Sequence, residues 1–261
     1  MKIAAIYDIH GNLPALEAVI KVIKVIEPDH VVVGGDVVAG PMPAQCLEML
    51  KELSKDFPTS FIHGNAESEV IRAAAGENPQ GFTETNNEIA HWVAAQLSPE
   101  QIAEIKSWSL TYTLETETNG DVLFCHATPQ NDVDIFTTNS SDEKVERFFE
   151  GITNPLVVCG HTHMQVDREL ANTRIINAGS VGMSFTSPGA YWLLIADGEV
   201  SFNYTMYNLE DAAAQILATD FPNAEAFVQN SVLATPTEDD AIVKLTRLAM
   251  MQDEERVNVM G

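Results

Sequence analysis

Basic residues are scarce in this chain. Its 261 residues carry 14 lysines and arginines against 38 aspartates and glutamates, a formal charge of −24. A field of that sign repels polyanions, so stable binding to nucleic acid is not expected. Solubility or salt tolerance is the simplest use of so much acid. Cysteine is scarcer still. Cys46, Cys125 and Cys159 have no CxxC spacing and no even count, which argues against a disulfide framework. Cys125 and Cys159 end apolar runs and read as small buried hydrophobes. No apolar run approaches the roughly 20 residues that span a bilayer. The stretch before Asp8 is too short for a secretory signal, and cleavage there would remove Asp8 or its supporting strand. A cytoplasmic protein with no membrane partner is therefore expected. Internal repeats and low-complexity linkers are also missing. With 45% hydrophobic residues, the chain can still bury a substantial core.

What is present is alternation. Residues 2–7 are apolar and β-leaning, and read as a buried strand. Asn12 followed by Pro14 has the form of a helix N-terminus, and 15–26 has helical periodicity. A strand at 30–33, a helix at 43–55 and a strand at 59–62 continue the series, which argues for parallel βαβ units. Residues 66–107 are helical, with breaks at Gly76, Pro79, Gly81 and Pro99, and could cover a site as a cap. Segments 111–118 and 121–125 flank Asn119-Gly120 and predict a hairpin. A polar loop over 127–141 and a helix near 142–150 follow. Strands are then predicted at 156–159, 166–170, 174–177, 190–196 and 199–206. From Asn208 the chain is helical and acidic, broken at Pro222 and Pro236. The expected organisation is one domain over 1–207, with 208–261 a helical extension packed on it.

Four polar clusters stand at the ends of apolar runs: Asp8-Ile9-His10, Gly34-Gly35-Asp36, Gly64-Asn65 and Gly160-His161-Thr162-His163. His126 ends another. Singly, each is what an ordinary polar turn would give. Jointly they fall at predicted strand ends, where open α/β sheets place their ligands. In Asp8-Ile9-His10, extended backbone would put both polar side chains on one side. Gly34 and Gly35 permit a sharp bend that aims Asp36. Asp8, His10, Asp36, Asn65, His126, His161 and His163 together offer carboxylate, amide and imidazole donors without thiolate. That set suits a pair of ions such as Mn²⁺, Fe or Zn²⁺. Two-metal centres of this composition hydrolyse phosphate esters.

The ordered pattern DxH, GD, GN, a lone His and GHxH resembles the calcineurin-like metallophosphoesterase superfamily, in its bacterial phosphodiesterase or diadenosine tetraphosphatase-like branch. The resemblance spans about residues 1–206. It implies an α/β fold, a layered αββα sandwich of two mixed β-sheets flanked by helices. It also implies one ion on Asp8, His10, Asp36 and His163, and a second on Asp36, Asn65, His126 and His161, bridged by Asp36 and a shared hydroxide. Asp36, Asn65, His126 and His161 would then carry the catalysis. Mn²⁺ is the preferred ion, with Fe, Zn²⁺ or Ni²⁺ as alternatives. Backbone near Asn12 and Asn177-Ala178-Gly179-Ser180 is expected to line the site.

One departure from the family pattern bears on substrate. Many members place a histidine after Gly-Asn, where it can protonate a leaving group. This chain has Ala66, then Glu67. Missing general acid matters least for a low-pKa leaving group, so a phosphodiester or nucleotide phosphoanhydride is the expected substrate. The expected partner is accordingly a small phosphorylated molecule. The alternatives are a phosphomonoesterase, including a protein phosphatase, and a catalytically silent metal-binding scaffold. His63 and His91 are expected to be structural, and His30 a surface residue before a strand. Trp92 and Trp108 are expected to pack rather than stack on a ligand.

Overall fold

The computed structural model describes residues 1–78 and 83–260. The predicted breaks at Pro79 and Gly81 lie outside them. The first half runs β1 (Lys2–Ile6), α1 (Leu13–Ile26), β2 (His30–Val33), α2 (Pro43–Asp56), β3 (Thr59–Phe61), α3 (Asn65–Ala74), α4 (Glu84–Gln96) and α5 (Pro99–Ser107). There follow β4 (Thr111–Thr116), β5 (Gly120–Cys125), α6 (Asp142–Phe148), β6 (Leu156–Cys159), β7 (Gln165–Glu169), β8 (Arg174–Ala178), β9 (Ala190–Ala196) and β10 (Glu199–Thr205). The C-terminal helices are α7 (Leu209–Leu217), α8 (Ala224–Phe227), which runs into a π-helical turn at Val228–Val232, and α9 (Glu238–Met260).

Two five-stranded sheets form, in the orders β10-β9-β1-β2-β3 and β4-β5-β6-β8-β7. Both are mixed: β1, β2 and β3 are parallel while β9 is antiparallel to β1, and β5, β6 and β8 are parallel while β4 and β7 are antiparallel edges. Period-two alternation on each strand assigns the layers. Ile3, Ala5 and Tyr7 meet Phe124, Val158 and Ile176 between the sheets. Ala4 and Ile6 turn outward onto Leu16, Val19 and Ile23 of α1 and Leu50 of α2. On the far side, Leu123, Cys125, Val157 and Cys159 face Val145 and Phe148 of α6. The result is an αββα sandwich. Because β1 and β6 are covered on both faces, their sequences are continuous apolar runs rather than alternating ones.

The Asn12 side chain accepts from the Ala15 N–H at 3.3 Å, with Pro14 inside the first turn, so α1 begins where the sequence signals it. The apolar residues of the 65–107 helices, among them Val70, Val93 and Ile105, join the outer cluster with Leu50 and Leu53. Trp92 packs edge-on against Phe221 at 5.2 Å, and Trp108 stacks on Phe61 at 5.1 Å. Helices α7 and α8 and the π-helical turn gather around Met42. Helix α9 lays Ala241, Leu245 and Ala249 on Ile135 and Met164. Among the described residues, no helix is long and apolar enough to cross a membrane.

Candidate metal centre

All seven candidate side chains leave the carboxyl ends of strands. Asp8 and His10 follow β1, Asp36 follows β2, and Asn65 opens α3 after β3. His126 follows β5, and His161 and His163 follow β6. Since β1 pairs with β2 and β5 with β6 in parallel, each sheet delivers its loops to one edge, and the two edges face each other.

The backbone there is unusual. Asp8, His10, Asp36, His161 and His163 have φ of 53°, 48°, 51°, 69° and 58°, and among the described non-glycine residues only Glu27 and Asp197 share that sign. Left-handed conformations in such residues cost about 1–3 kcal/mol each and persist where their surroundings over-determine them. Cross-loop hydrogen bonds do that here. The N–H groups of Asp8 and His10 donate to Gly35 O and Asp36 O at 3.1 and 2.9 Å, and Gly182 N donates to Asp8 O at 2.9 Å. Beneath these loops lies Tyr7, whose hydroxyl donates to Val158 O at 3.1 Å. Its ring fills the space above two glycines: a Cβ at Gly34 would fall 1.9 Å from it, and one at Gly160 2.6 Å.

The side chains form two overlapping groups. One ligand atom each from Asp8, His10, Asp36 and His163 lie within 4.8 Å of one another, as do those from Asp36, His126 and His161. Asp36 belongs to both. Its Oδ2 is 3.7 Å from His10 Nε2, while its Oδ1 is 3.4 Å from His126 Nε2. Asn65 Oδ1 lies 3.2 Å from His126 Nε2. Asp8 Oδ1 is 3.4 Å from His163 Nε2.

Several features of this cluster fit divalent cations. The Nδ1 atoms of His10, His126 and His163 face the carbonyls of Ala39, Gly34 and Met183 at 3.2, 2.9 and 2.7 Å. A carbonyl only accepts, so each Nδ1 carries the proton, and in the neutral ring Nε2 presents a lone pair to the centre. His10 Nε2 and His163 Nε2 stand 3.1 Å apart. Two ring nitrogens at that separation share one proton in the metal-free protein, and a cation coordinated by both would take the place of that proton. Asp8 Oδ1 and His161 Nδ1 are buried with no hydrogen-bond partner, an arrangement that is costly without a ligand.

The charges agree. Burial opposes ionisation of Asp8 and Asp36, yet neighbouring His163 and His126 outweigh it and hold both carboxyls below their usual range. Burial opposes the charge on His126 too, but Asp36 and Asp8 lift it to about 10. Burial and the charge on His126 push His161 down to about 4, and burial with His163 lowers His10. Those two rings are therefore neutral and ready to ligate at pH 7.

The supporting residues were only partly evident in the sequence. Glu67 is fully buried, and its two oxygens accept from Gly64 N, Asp36 N, Val37 N and Val38 N at 2.8, 2.9, 2.8 and 3.3 Å. It stitches the Asp36 loop to the start of α3. Burial, reinforced by Asp36, pushes its carboxyl up to about 7 against these donors. Its place three residues after Gly64, where a capping glutamate belongs, was the available signal. Glu69 accepts from Asn65 Nδ2 at 3.0 Å and so turns the amide oxygen inward. Asn12 Nδ2 donates to Gly182 O at 2.9 Å, Asn177 Nδ2 to Thr162 Oγ1 at 3.0 Å, and Ser180 Oγ to Asp8 O at 2.7 Å. At these positions side chains pin the loops. His63, two residues before Asn65, clusters with Ser68 and Asp132 at 3.1 and 3.4 Å. His30 and His91 bond Ser60 and Asn78 instead and take no part.

Comparison with known proteins gives a consistent result. No curated protein matches this sequence. Among solved structures, the hypothetical protein PH1004 from Pyrococcus horikoshii OT3 superposes with a TM-score of 0.76 at 15% identity, over 87% of this chain and 96% of that one. A metallophosphoesterase from Sphaerobacter thermophilus superposes with a TM-score of 0.68 at 22% identity, over 88% and 97%. At these identities the likeness is one of fold. The sequence model of the calcineurin-like phosphoesterase superfamily domain matches residues 1–199. With the Asp, Asn and His loops of that span gathered at one edge of the sandwich, the chain belongs to the calcineurin-like phosphoesterase superfamily.

Proposed function

We propose that the protein is a dinuclear metal-dependent phosphoesterase that hydrolyses a phosphodiester or a nucleotide phosphoanhydride. The observation that carries this reading is Asp36, which turns one oxygen to His10 and the other to His126. Asp8, His10, Asp36 and His163 would hold one ion, and Asp36, Asn65, His126 and His161 the other. When bound, such a pair supplies Lewis-acid polarisation of the phosphoryl oxygens and an activated water. The chain's own part is to fix the donors. Glu67 and the carbonyls on the three Nδ1 atoms hold carboxylate and rings in place, and Asn65 contributes an oxygen without adding charge that would repel a phosphate.

Ala66 sets the preference among esters. It is buried, and its N–H donates to Asp36 Oδ1 at 2.8 Å, so this position delivers no proton to a leaving group. Substrates with low-pKa leaving groups need that proton least. A phosphomonoesterase, including a protein phosphatase, is the second reading, favoured by the partly exposed His63, two residues before Asn65, that Asp132 and Ser68 hold.

The test compares bis-p-nitrophenyl phosphate with p-nitrophenyl phosphate, with Mn²⁺ added and then chelated. Mn²⁺-dependent turnover that favours the diester supports the first reading. Preference for the monoester selects the second, and stoichiometric metal without turnover of either would mean a silent scaffold.

A further inference from the structure

The superfamily match ends at residue 199, yet the last helix reaches back to the centre. Phe185 leans across the face of the His163 ring, centroids 4.6 Å apart and planes tilted by 34°, and its N–H donates to His163 O at 3.3 Å. Two residues earlier, Met183 O holds His163 Nδ1. The 183–185 segment thus grips His163 by both edge and face. Behind it stands α9. Ala241, Leu245 and Ala249, spaced four apart on one face, form a buried cluster with Met164 and Ile135, and Phe185 packs against that cluster.

Farther along, α9 holds the other ligand loop. Gln252 Nε2 donates to Val133 O and Lys144 Nζ pairs with Asp253, both at 2.7 Å, while Arg256 pairs with the buried Asp134. Asp134 also accepts from Thr128 Oγ1 at 2.9 Å, two residues from His126. One helix therefore touches the segments that carry His163 and His126, a donor from each group.

We propose that α9 is a brace for the metal centre and that Phe185 is the positioning residue through which it orients His163. This rests on the two-ion reading above. A ring held at both edge and face keeps Nε2 aimed at the centre whether or not an ion is bound. Interactions one layer behind a ligand typically change metal affinity 10–100-fold.

The test titrates the full-length, metal-free protein with Co²⁺, following heat and the visible absorption of the bound ion. The parent, Phe185→Ala, Phe185→Tyr and Leu245→Ala are compared. Two ions are expected in the parent. Phe185→Ala should weaken one of them about 10–100-fold and leave the other nearly unchanged. Phe185→Tyr, which keeps the stacked ring, should restore it. Leu245→Ala should weaken the same ion, because it loosens α9 beneath Phe185. Equal weakening of both ions by Phe185→Ala would indicate general loosening and overturn the proposal. So would parental affinity in either Phe185→Ala or Leu245→Ala. A parent that takes up no Co²⁺ would defeat the two-ion reading itself, and the brace with it.

Discussion

Gly64 offers the sharpest test of where the centre lies. Its φ is ordinary, so a methyl group there would meet only a problem of space. A Cβ would fall 2.3 Å from Asp36 Oδ1, 2.6 Å from Asp36 N and 3.0 Å from His126 Cε1. Ordinary contact begins near 3.4 Å, so the carboxylate must retreat by about 1 Å together with the Asp36 backbone, or the start of α3 must lift away. Glu67 resists the second route, since it ties Gly64 N and Asp36 N to the same oxygen. Overpacking of this kind costs about 1–3 kcal/mol. Displacing a reacting geometry by about 1 Å costs on the order of 10²-fold in rate. Gly64→Ala should therefore lose about 1–3 kcal/mol in urea unfolding with chelator present, and its turnover should drop on the order of 10²-fold at saturating Mn²⁺. Gly76→Ala is the control. Gly76 has φ +82° with nothing within 4 Å of a built Cβ, so it should lose about 1–2 kcal/mol of stability from its left-handed backbone and no turnover. Should Gly64→Ala bind two ions and turn over like the parent, Asp36 does not belong to the centre.

Asp36→Asn keeps the shape of the side chain but halves its bridging capacity, and both ions should weaken by at least about tenfold in titration calorimetry. An Asn variant with both metals and full turnover would end the bridging role. Glu67→Gln leaves two buried N–H donors facing an amide NH₂, at about 1–3 kcal/mol each. The metal-free variant should unfold with a deficit of about 2–6 kcal/mol in urea at about pH 8.5, where the parent carboxyl is ionised. Because His126 is lifted to about 10, metal uptake near pH 7–8 should release about one proton, read as a calorimetric heat that changes with the ionisation enthalpy of the buffer. The same shift fixes a sign. Its folded pKa exceeds the unfolded value near 6.5, so the stability it gives the metal-free fold is full below about 6.5 and lost toward 10. Metal-loaded protein, with that ring held neutral, should instead gain stability as pH rises to about 6.5 and stay level above it. At the acid end, activity should collapse below about pH 5–6 as protons compete for the imidazoles.

Much of this was legible in the residues because two constraints coincided. Strands buried on both faces had to be continuous apolar runs, which made β1, β2, β5 and β6 visible, and the polar residues that ended them stood out as the candidate ligands. The joint order of those clusters carried more than any one. Less visible was whatever depends on contacts distant in sequence. Glu67 stands locally as a helix-capping glutamate and no more, with nothing to mark it as a receiver for four backbone donors from two loops, and nothing local marks Phe185 as a face for His163. The left-handed turns at Asp8, His10 and Asp36 were hidden too, since no glycine or asparagine signals them and the hydrogen bonds that impose them come from other strands. Asn12 showed the reverse. It was read as a helix cap, which it is, and its Nδ2 also ties α1 to Gly182 across the sandwich.

Tyr7 gives the centre a property that no ligand has. Its ring lies under Gly34 in one sheet and Gly160 in the other, and occupies the volume that a side chain at either glycine would need. Those three positions share one space, so they cannot vary independently. A methyl at Gly34 is excluded only while the ring is there, and a smaller residue at Tyr7 would leave a void that only such a methyl fills. Substitutions at Tyr7 and Gly34 should be strongly non-additive, each harmful alone and milder in combination, whereas a methyl at Gly160 would still meet Asp8 Oδ2 at 2.6 Å. The gap between the two halves of the centre is thus set by an aromatic spacer, and an altered gap would require a matched replacement of ring and glycine together.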